Sequence, residues 1–253
     1  MAKIISFSNQ KGGVGKTTSC VNIAAELGKL GKRVLLVDID PQGNATTGLG
    51  IAKKHVKTSV YEVLVSQTPP QQAILETPYR NLHILPATIA LAGAELDLHD
   101  LLARQDNPLL CLREPSLPYD FILIDCPPSL GLLTVAALSA SDGVVIPMQC
   151  EFFALEGLSQ LLMTIKRVRK TYNPALEITG ILLTMYNARL TLTRQVVEEL
   201  NKYYADKLFR TPVSRSVKLS EASGYGEPIC YLAPASTCAE EYHAVTKELL
   251  LLV

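Results

Sequence analysis

The chain has 253 residues, 48% of them hydrophobic, with 24 Lys+Arg set against 24 Asp+Glu. That length and apolar content predict a single α/β domain over 1–253 with a substantial core, and the neutral balance excludes wholesale coating of a polyanion while leaving room for a local basic patch. No apolar run is long enough to span a bilayer, and the six cysteines (Cys20, Cys111, Cys126, Cys150, Cys230 and Cys238) form no C-x-x-C pair and sit mostly in apolar runs, as reduced core thiols of a cytosolic protein do.

The first element reads as a strand near 3–8 rather than a signal peptide. It runs directly into Lys11-Gly12-Gly13-Val14-Gly15-Lys16-Thr17-Thr18, and a helix is predicted near 16–30. A strand, a glycine loop and a helix start in that order make a cradle for a phosphate chain. Glycines let the backbone approach the anion, and the loop N–H groups and helix N-terminus point at negative charge. Lys16 is placed to reach the outer phosphates, and the Thr17 hydroxyl to ligate Mg²⁺. The pattern departs from G-x-x-x-x-G-K-[ST] at its first glycine, where Gln10 stands, and Lys11 adds a second lysine.

The next strand, near 33–38, ends in Asp38-Ile39-Asp40. Alternation puts the two carboxylates on one face at the carboxyl end of a strand, where ligands of open parallel sheets bind. An Asp there also serves as a helix N-cap or turn former. Residues 41–46 read as a loop. A helix near 59–67, a strand near 81–86 and a helix near 89–105 follow. A buried apolar strand near 119–125 then ends in Asp125 and is stopped by Pro127-Pro128. Helices near 130–140, 153–171, 191–205 and 239–251 alternate with strands near 143–148, 177–185 and 207–210. Alternation with short links predicts a doubly wound, mostly parallel sheet with helices on both faces. The Pro-containing stretches at 68–70 and 107–118 read as surface loops. Lys166, Arg167, Arg169 and Lys170 lie near a helix C-terminus, where they complement its dipole. Asn187 follows the strand near 177–185; its amide suits an adenine edge, with Met185 and Pro212 as apolar walls, or it simply ends the strand.

KGGVGKTT with the added Lys11 resembles the deviant P-loop ATPases, the group of ParA/Soj, MinD and the nitrogenase iron protein. The similarity to ParA/Soj covers nearly the whole chain. It includes DIDPQGNAT from Asp38, Ile84 to Thr88, Leu91 to Glu95, Ser129 to Thr134, Val145 to Glu151, Phe152 to Leu158 and Leu219 to Ala222. This resemblance implies a P-loop NTPase with a deviant Walker A motif that takes ATP and Mg²⁺. It also implies an ATP-dependent homodimer that binds DNA nonspecifically, a ParB/Spo0J-like centromere-binding partner and a cytoplasmic, nucleoid-associated location without a membrane. By resemblance, Lys11 crosses to the nucleotide of the other subunit, and Gly12 lies where the two loops approach. Gly13, Val14, Gly15, Lys16, Thr17 and Thr18 hold the phosphates, and Asp40 positions the attacking water. Asp38 and Asp40 join Thr17 in the Mg²⁺ shell, and Asp125 is the Walker B acid that holds the ion. Arg189, Arg215 and Lys218 contact DNA. Lys218 stands where the family often has arginine, and Ser223 where it often has proline. An iron protein would need paired cluster-ligating cysteines, which have no place here. The alternative, a MinD-like membrane-surface positioning ATPase, would need a basic amphipathic C-terminal helix, whereas the polar face of residues 240–253 is acidic.

Overall fold

The computed structural model describes residues 2–253. Seven strands form one sheet: β1 (Lys3–Phe7), β2 (Val34–Asp38), β3 (Leu75–Glu76), β4 (Leu82–Leu85), β5 (Phe121–Asp125), β6 (Gly143–Gln149) and β7 (Glu177–Thr184). Their order is β3-β4-β2-β5-β1-β6-β7, parallel throughout except for the short β3. The helices are α1 (Lys16–Lys29), α2 (Asn44–Gly48), α3 (Val60–Val65), α4 (Ala94–Ala103), α5 (Leu132–Ala140), α6 (Ala154–Thr171), α7 (Thr191–Tyr204), α8 (Val217–Tyr225), α9 (Ile229–Leu232) and α10 (Thr237–Leu252).

Side chains of successive strand residues go to opposite faces. Ile5, Leu36 and Leu123 pack with Ile23 and Leu27 of α1 and with Tyr242 and Val245 of α10. Ile4, Leu35 and Ile122 pack on the other face with α3, α4 and α5, while Val144, Ile146 and Ile181 meet α6 and α7. Because helices cover both faces, every residue of β2 and β5 is buried. This is the physical reason their sequences read as unbroken apolar runs instead of alternating ones.

Strand register places the chemistry. Phe7, the last residue of β1, lies opposite Asp125, and Asp125 lies opposite Asp38. The loop after β1 and the acids ending β2 and β5 therefore emerge side by side at the carboxyl edge of the sheet, where β1 is flanked by β5 on one side and β6 on the other.

Four expectations are corrected. Residues 207–210 form no strand; Leu208 makes only an isolated bridge to Ile181. Residues 41–46 are not all loop, because the Asp38 carboxylate captures both the N–H and the hydroxyl of Thr46 and so fixes the start of α2. The 107–118 stretch is no mere surface loop, since Leu109, Leu112 and Leu117 are buried and Asn107 caps a 3-10 turn over Pro108–Arg113. Finally, α8 stands where no helix is predicted. Its pattern is weakly amphipathic, with Ala222 alone buried, and Gly226 ends it in a left-handed cap.

Packing gives a paired prediction. A Cβ on Gly28 would stand 2.2 Å from the Arg80 carbonyl oxygen, whereas a Cβ on Gly157 in α6 would meet nothing within 4 Å. Gly28→Ala lowers stability by about 1–3 kcal/mol through overpacking, and Gly157→Ala raises it by up to about 1 kcal/mol through helix propensity. Thermal denaturation of the two variants checks this, and equal shifts would contradict it.

Candidate active site

The glycine loop is tied down from three sides. The Asn9 amide donates to the Pro147 carbonyl at 2.7 Å, and its Oδ1 accepts the Lys11 N–H at 3.0 Å. The Thr184 hydroxyl, at the end of β7, donates to the Val14 carbonyl at 2.8 Å. The Gln149 amide reaches the Gly13 carbonyl at 3.2 Å. Gly13 and Gly15 have φ of 73° and 81°, the left-handed region that only glycine enters freely, and Gly15 is the residue that starts α1. The loop is thus shaped before any ligand arrives.

Lys16 points back under this loop and donates to the Lys11 carbonyl at 2.9 Å. It is only 6% exposed. Burial lowers the pKa of its ammonium, while Asp125, Cys126 and Asp40 oppose that shift. Asp38 is fully buried and is pushed up to about 6 by burial, against the Thr46 hydroxyl, the Thr46 and Asp40 N–H groups that favour its charge. Asp125 is pushed well above the carboxylate range by burial and then by the Asp38 charge. The Thr17 hydroxyl approaches Asp125 and favours its ionised form, but neither Asp125 oxygen has a fully formed hydrogen bond. A buried carboxylate without partners is costly, and one set beside a hydroxyl and a second carboxylate fits a hard divalent cation with oxygen ligands.

Two cavities open here and share Gly15, Thr18, Met185 and Ser223. The first, about 370 Å³, is lined by the glycine loop, Lys16, Thr17, Asp40, Asn44 and Thr47. The second, about 720 Å³, runs on between Thr184, Ser214 to Val217, α8 and Tyr242. A polar cradle continuous with a more apolar chamber has the layout needed for a phosphate chain joined to a ring.

A family model described as an AAA domain matches residues 2–178. The chain is similar to the sporulation initiation inhibitor protein Soj of Bacillus subtilis, 54% identical over 248 residues covering 98% of each chain. It is also similar to the chromosome partitioning protein ParA of Myxococcus xanthus, 48% identical over 254 residues covering 99% of this chain and 88% of the relative. The chain belongs to the Soj/ParA family of P-loop ATPases. Among solved structures, cobyrinic acid a,c-diamide synthase from Mycobacterium smegmatis, with bound ADP and magnesium, matches with a TM-score of 0.85 at 37% identity, covering 99% of this chain and 94% of that one.

In this Soj/ParA-family chain, the predicted phosphate and Mg²⁺ residues converge: Gly12, Gly13, Gly15, Lys16, Thr17, Thr18 and Asp40 line one cavity, with Asp38 and Asp125 buried behind them. Val14 is buried, and its carbonyl receives Thr184. Lys11 lies apart, in an ion pair with Glu151 of its own chain. Met185 lines both cavities, at a positive φ of 49°. Asn187 and Pro212 line neither; the Asn187 side chain accepts the Arg189 N–H at 3.1 Å and so closes a turn after β7. Arg189, Arg215 and Lys218 are all exposed, and the bridge between Tyr186 and Ser214 carries the first two to one edge of the sheet.

Sequence reading missed the walls supplied by Ser214, Ser216, Leu219, Ser220, Ser223 and Tyr242. Leu219, Ser220 and Ser223 lie in stretches compared with the family above, but nothing local marks any of the six as a cavity wall, because they meet the loop only through the fold. It also missed a glycine pair: a Cβ on Gly226 would stand 2.7 Å from the Gly50 Cα and 2.8 Å from the Thr47 carbonyl oxygen.

The buried acids set a pH dependence in the nucleotide-free protein. Asp38 titrates near its ordinary 3.8 when unfolded and at about 6 when folded, so the folded state holds protons that the unfolded chain has released. The stability due to this group is complete below about pH 4 and is lost as pH rises through about 6, roughly 2–3 kcal/mol in all. Asp125→Asn, which removes a buried carboxyl whose ionised form is disfavoured by burial and then by the Asp38 charge, raises the melting temperature near neutral pH. Melting curves across the range test this; a lower melting temperature for the variant would contradict it.

Proposed function

We propose that the chain is one ATPase domain over 1–253 that dimerises on ATP, binds DNA without sequence preference while closed, and drives chromosome or plasmid partition. The observation that carries this reading is the convergence of Lys16, Thr17 and Asp40 on one cavity with the unpartnered Asp125 behind it. ATP is the substrate. Its phosphates lie along the N–H groups of Gly12 to Thr18 at the start of α1, where backbone dipoles favour anions. Lys16 balances the outer phosphate charge. Mg²⁺, when bound, neutralises developing charge on the phosphates; Thr17 and Asp125 hold it, with Asp38 supporting. Asp40 orients the water for in-line attack, so catalysis is positioning and charge stabilisation. Met185 and the chamber beside it receive the base; Asn187 and Pro212, the further candidates for it, line neither cavity.

In the dimer, two subunits close face to face, with Gly12 of each near the other. Lys11 leaves Glu151 and crosses to the partner's phosphates. Exposed Arg189, Arg215 and Lys218 meet DNA phosphates, a contact that is salt-sensitive and blind to sequence. Each counts twice in a dimer, which multiplies affinity. The relatives named Soj and ParA support a partition role with a ParB/Spo0J-like partner on the nucleoid of a cytoplasm. The membrane-surface alternative is weaker, since Tyr242, Val245 and Leu249 of α10 are buried in the core and, of its large apolar residues, only Leu251 and Leu252 at its end are exposed.

Three outcomes test this. Wild type is monomeric with ADP and dimeric with ATP and Mg²⁺ in size-exclusion chromatography, and Asp40→Ala stays locked as a DNA-bound dimer; a monomeric Asp40→Ala under ATP would overturn the mechanism. Lys16→Ala abolishes nucleotide binding in equilibrium titration. Arg189→Glu keeps ATP turnover but weakens DNA retention, and the salt dependence of log affinity becomes shallower by roughly 2 per dimer. Unchanged retention would remove Arg189 from the surface.

A further inference from the structure

The turn that carries Asp40 is held from outside by a residue that no motif marks. Asp40 opens a tight turn, with Pro41 and Gln42 at its centre, in which the Gly43 N–H donates to the Asp40 carbonyl at 2.8 Å. The Gln42 N–H donates to the Asp40 carboxylate at 2.9 Å. Gly43 has φ of 58°, and its carbonyl receives the first N–H of the α2 ladder, from Thr47. The loop thus orders itself around one pole of the Gln42–Gly43 peptide.

The other pole is the Gln42 carbonyl. It accepts a hydrogen bond from the Lys53 ammonium at 2.6 Å, and among the described residues no other group donates to it. Lys53 starts a 3-10 turn over Lys53–His55. Its stem lies along the loop, so closely that a Cβ on Gly43 would stand 2.7 Å from the Lys53 Cδ. A charge-assisted bond from an ammonium to a carbonyl is stronger than a neutral one. The same peptide plane is therefore gripped at both ends, by Asp40 through its N–H and by Lys53 through its C=O. Rotation of that plane would break both bonds and swing Gln42, whose N–H orients the Asp40 carboxylate.

We infer that Lys53 is a positioning residue for hydrolysis: it locks the Gln42–Gly43 peptide and through it the aim of Asp40. This rests on the role proposed above for Asp40 and extends it. Lys53 lines neither cavity and acts only through the turn. Its loss should therefore slow the chemical step while leaving nucleotide binding alone, since the phosphate cradle of residues 12–18 is anchored separately through Asn9, Thr184 and Gln149.

The test compares Lys53→Met and Lys53→Arg with wild type. Lys53→Met keeps the aliphatic stem and loses the donor; Lys53→Arg keeps a donor. In nucleotide-free protein, hydrogen exchange at the Gln42 and Gly43 amides becomes faster by roughly tenfold in Lys53→Met, as a locally opened turn requires, and returns towards wild type in Lys53→Arg. With ATP and Mg²⁺, kcat falls roughly five- to tenfold in Lys53→Met with KM within about twofold, the signature of a lost positioning contact. Unchanged exchange at these amides would overturn the inference, and so would an unchanged kcat or a KM that rises in step with the loss of kcat. A wild-type protein that fails to hydrolyse ATP would overturn the proposed function instead, and the exchange comparison would still decide whether Lys53 holds the turn.

Discussion

Asp38 and Asp125 stand opposite each other on neighbouring parallel strands, both fully buried and both disfavoured as a pair of charges. Parallel strands lie about 4.8 Å apart, so the register alone brings the acids within strong electrostatic reach. Hydrogen bonds to Thr46 and the Asp40 N–H ease the strain at Asp38, whereas Asp125 has only the approach of the Thr17 hydroxyl and no fully formed hydrogen bond. The surrounding sheet holds these two carboxyls beneath the loop although burial disfavours their ionised forms, and a cation is what would favour their charge. Instability at the site and affinity for a metal are thus one property viewed from two sides.

Lys16 belongs to the same balance. Burial lowers the pKa of its ammonium, and Asp125, Cys126 and Asp40 oppose that shift. Its bond to the Lys11 carbonyl gives the ammonium a place to rest while the cradle is open. The loop itself needs little rearrangement, since Thr184 and Gln149 fix the Val14 and Gly13 carbonyls and Asn9 holds the Lys11 N–H. The free energy of ordering it has been met during folding, which is the usual route to tight anion binding.

Much of this was legible in the sequence because it is local. The run from Lys11 to Thr18 carries its own turn and helix start, and the apolar strands ending in Asp38 and Asp125 announce a sheet covered on both faces. The order of strands and helices followed from alternation. What escaped the reading depends on distant contacts. Residues 207–210 have strand composition but find a neighbour only at Leu208. The start of α2 is dictated by the Asp38 carboxylate and not by propensity. The far chamber draws on residues from 213 to 242, brought together by the docking of α10 against α1, and Lys53 joins Gln42 across eleven positions with no pattern to flag it. Asn187 satisfies its own turn, a use that its position after a strand allows equally well.

The meeting of Gly226 and Gly50 has a mechanical consequence. With no side chain between them, backbone rests on backbone, and the contact has no compliance. Gly226 caps the helix bearing Lys218, and Gly50 follows directly on the segment whose Thr47 lines the phosphate cavity. A tilt of that helix cannot be absorbed by rotamer changes at this junction; it must be passed on to the cavity wall or resisted outright, as a strut passes on a load that a cushion would absorb.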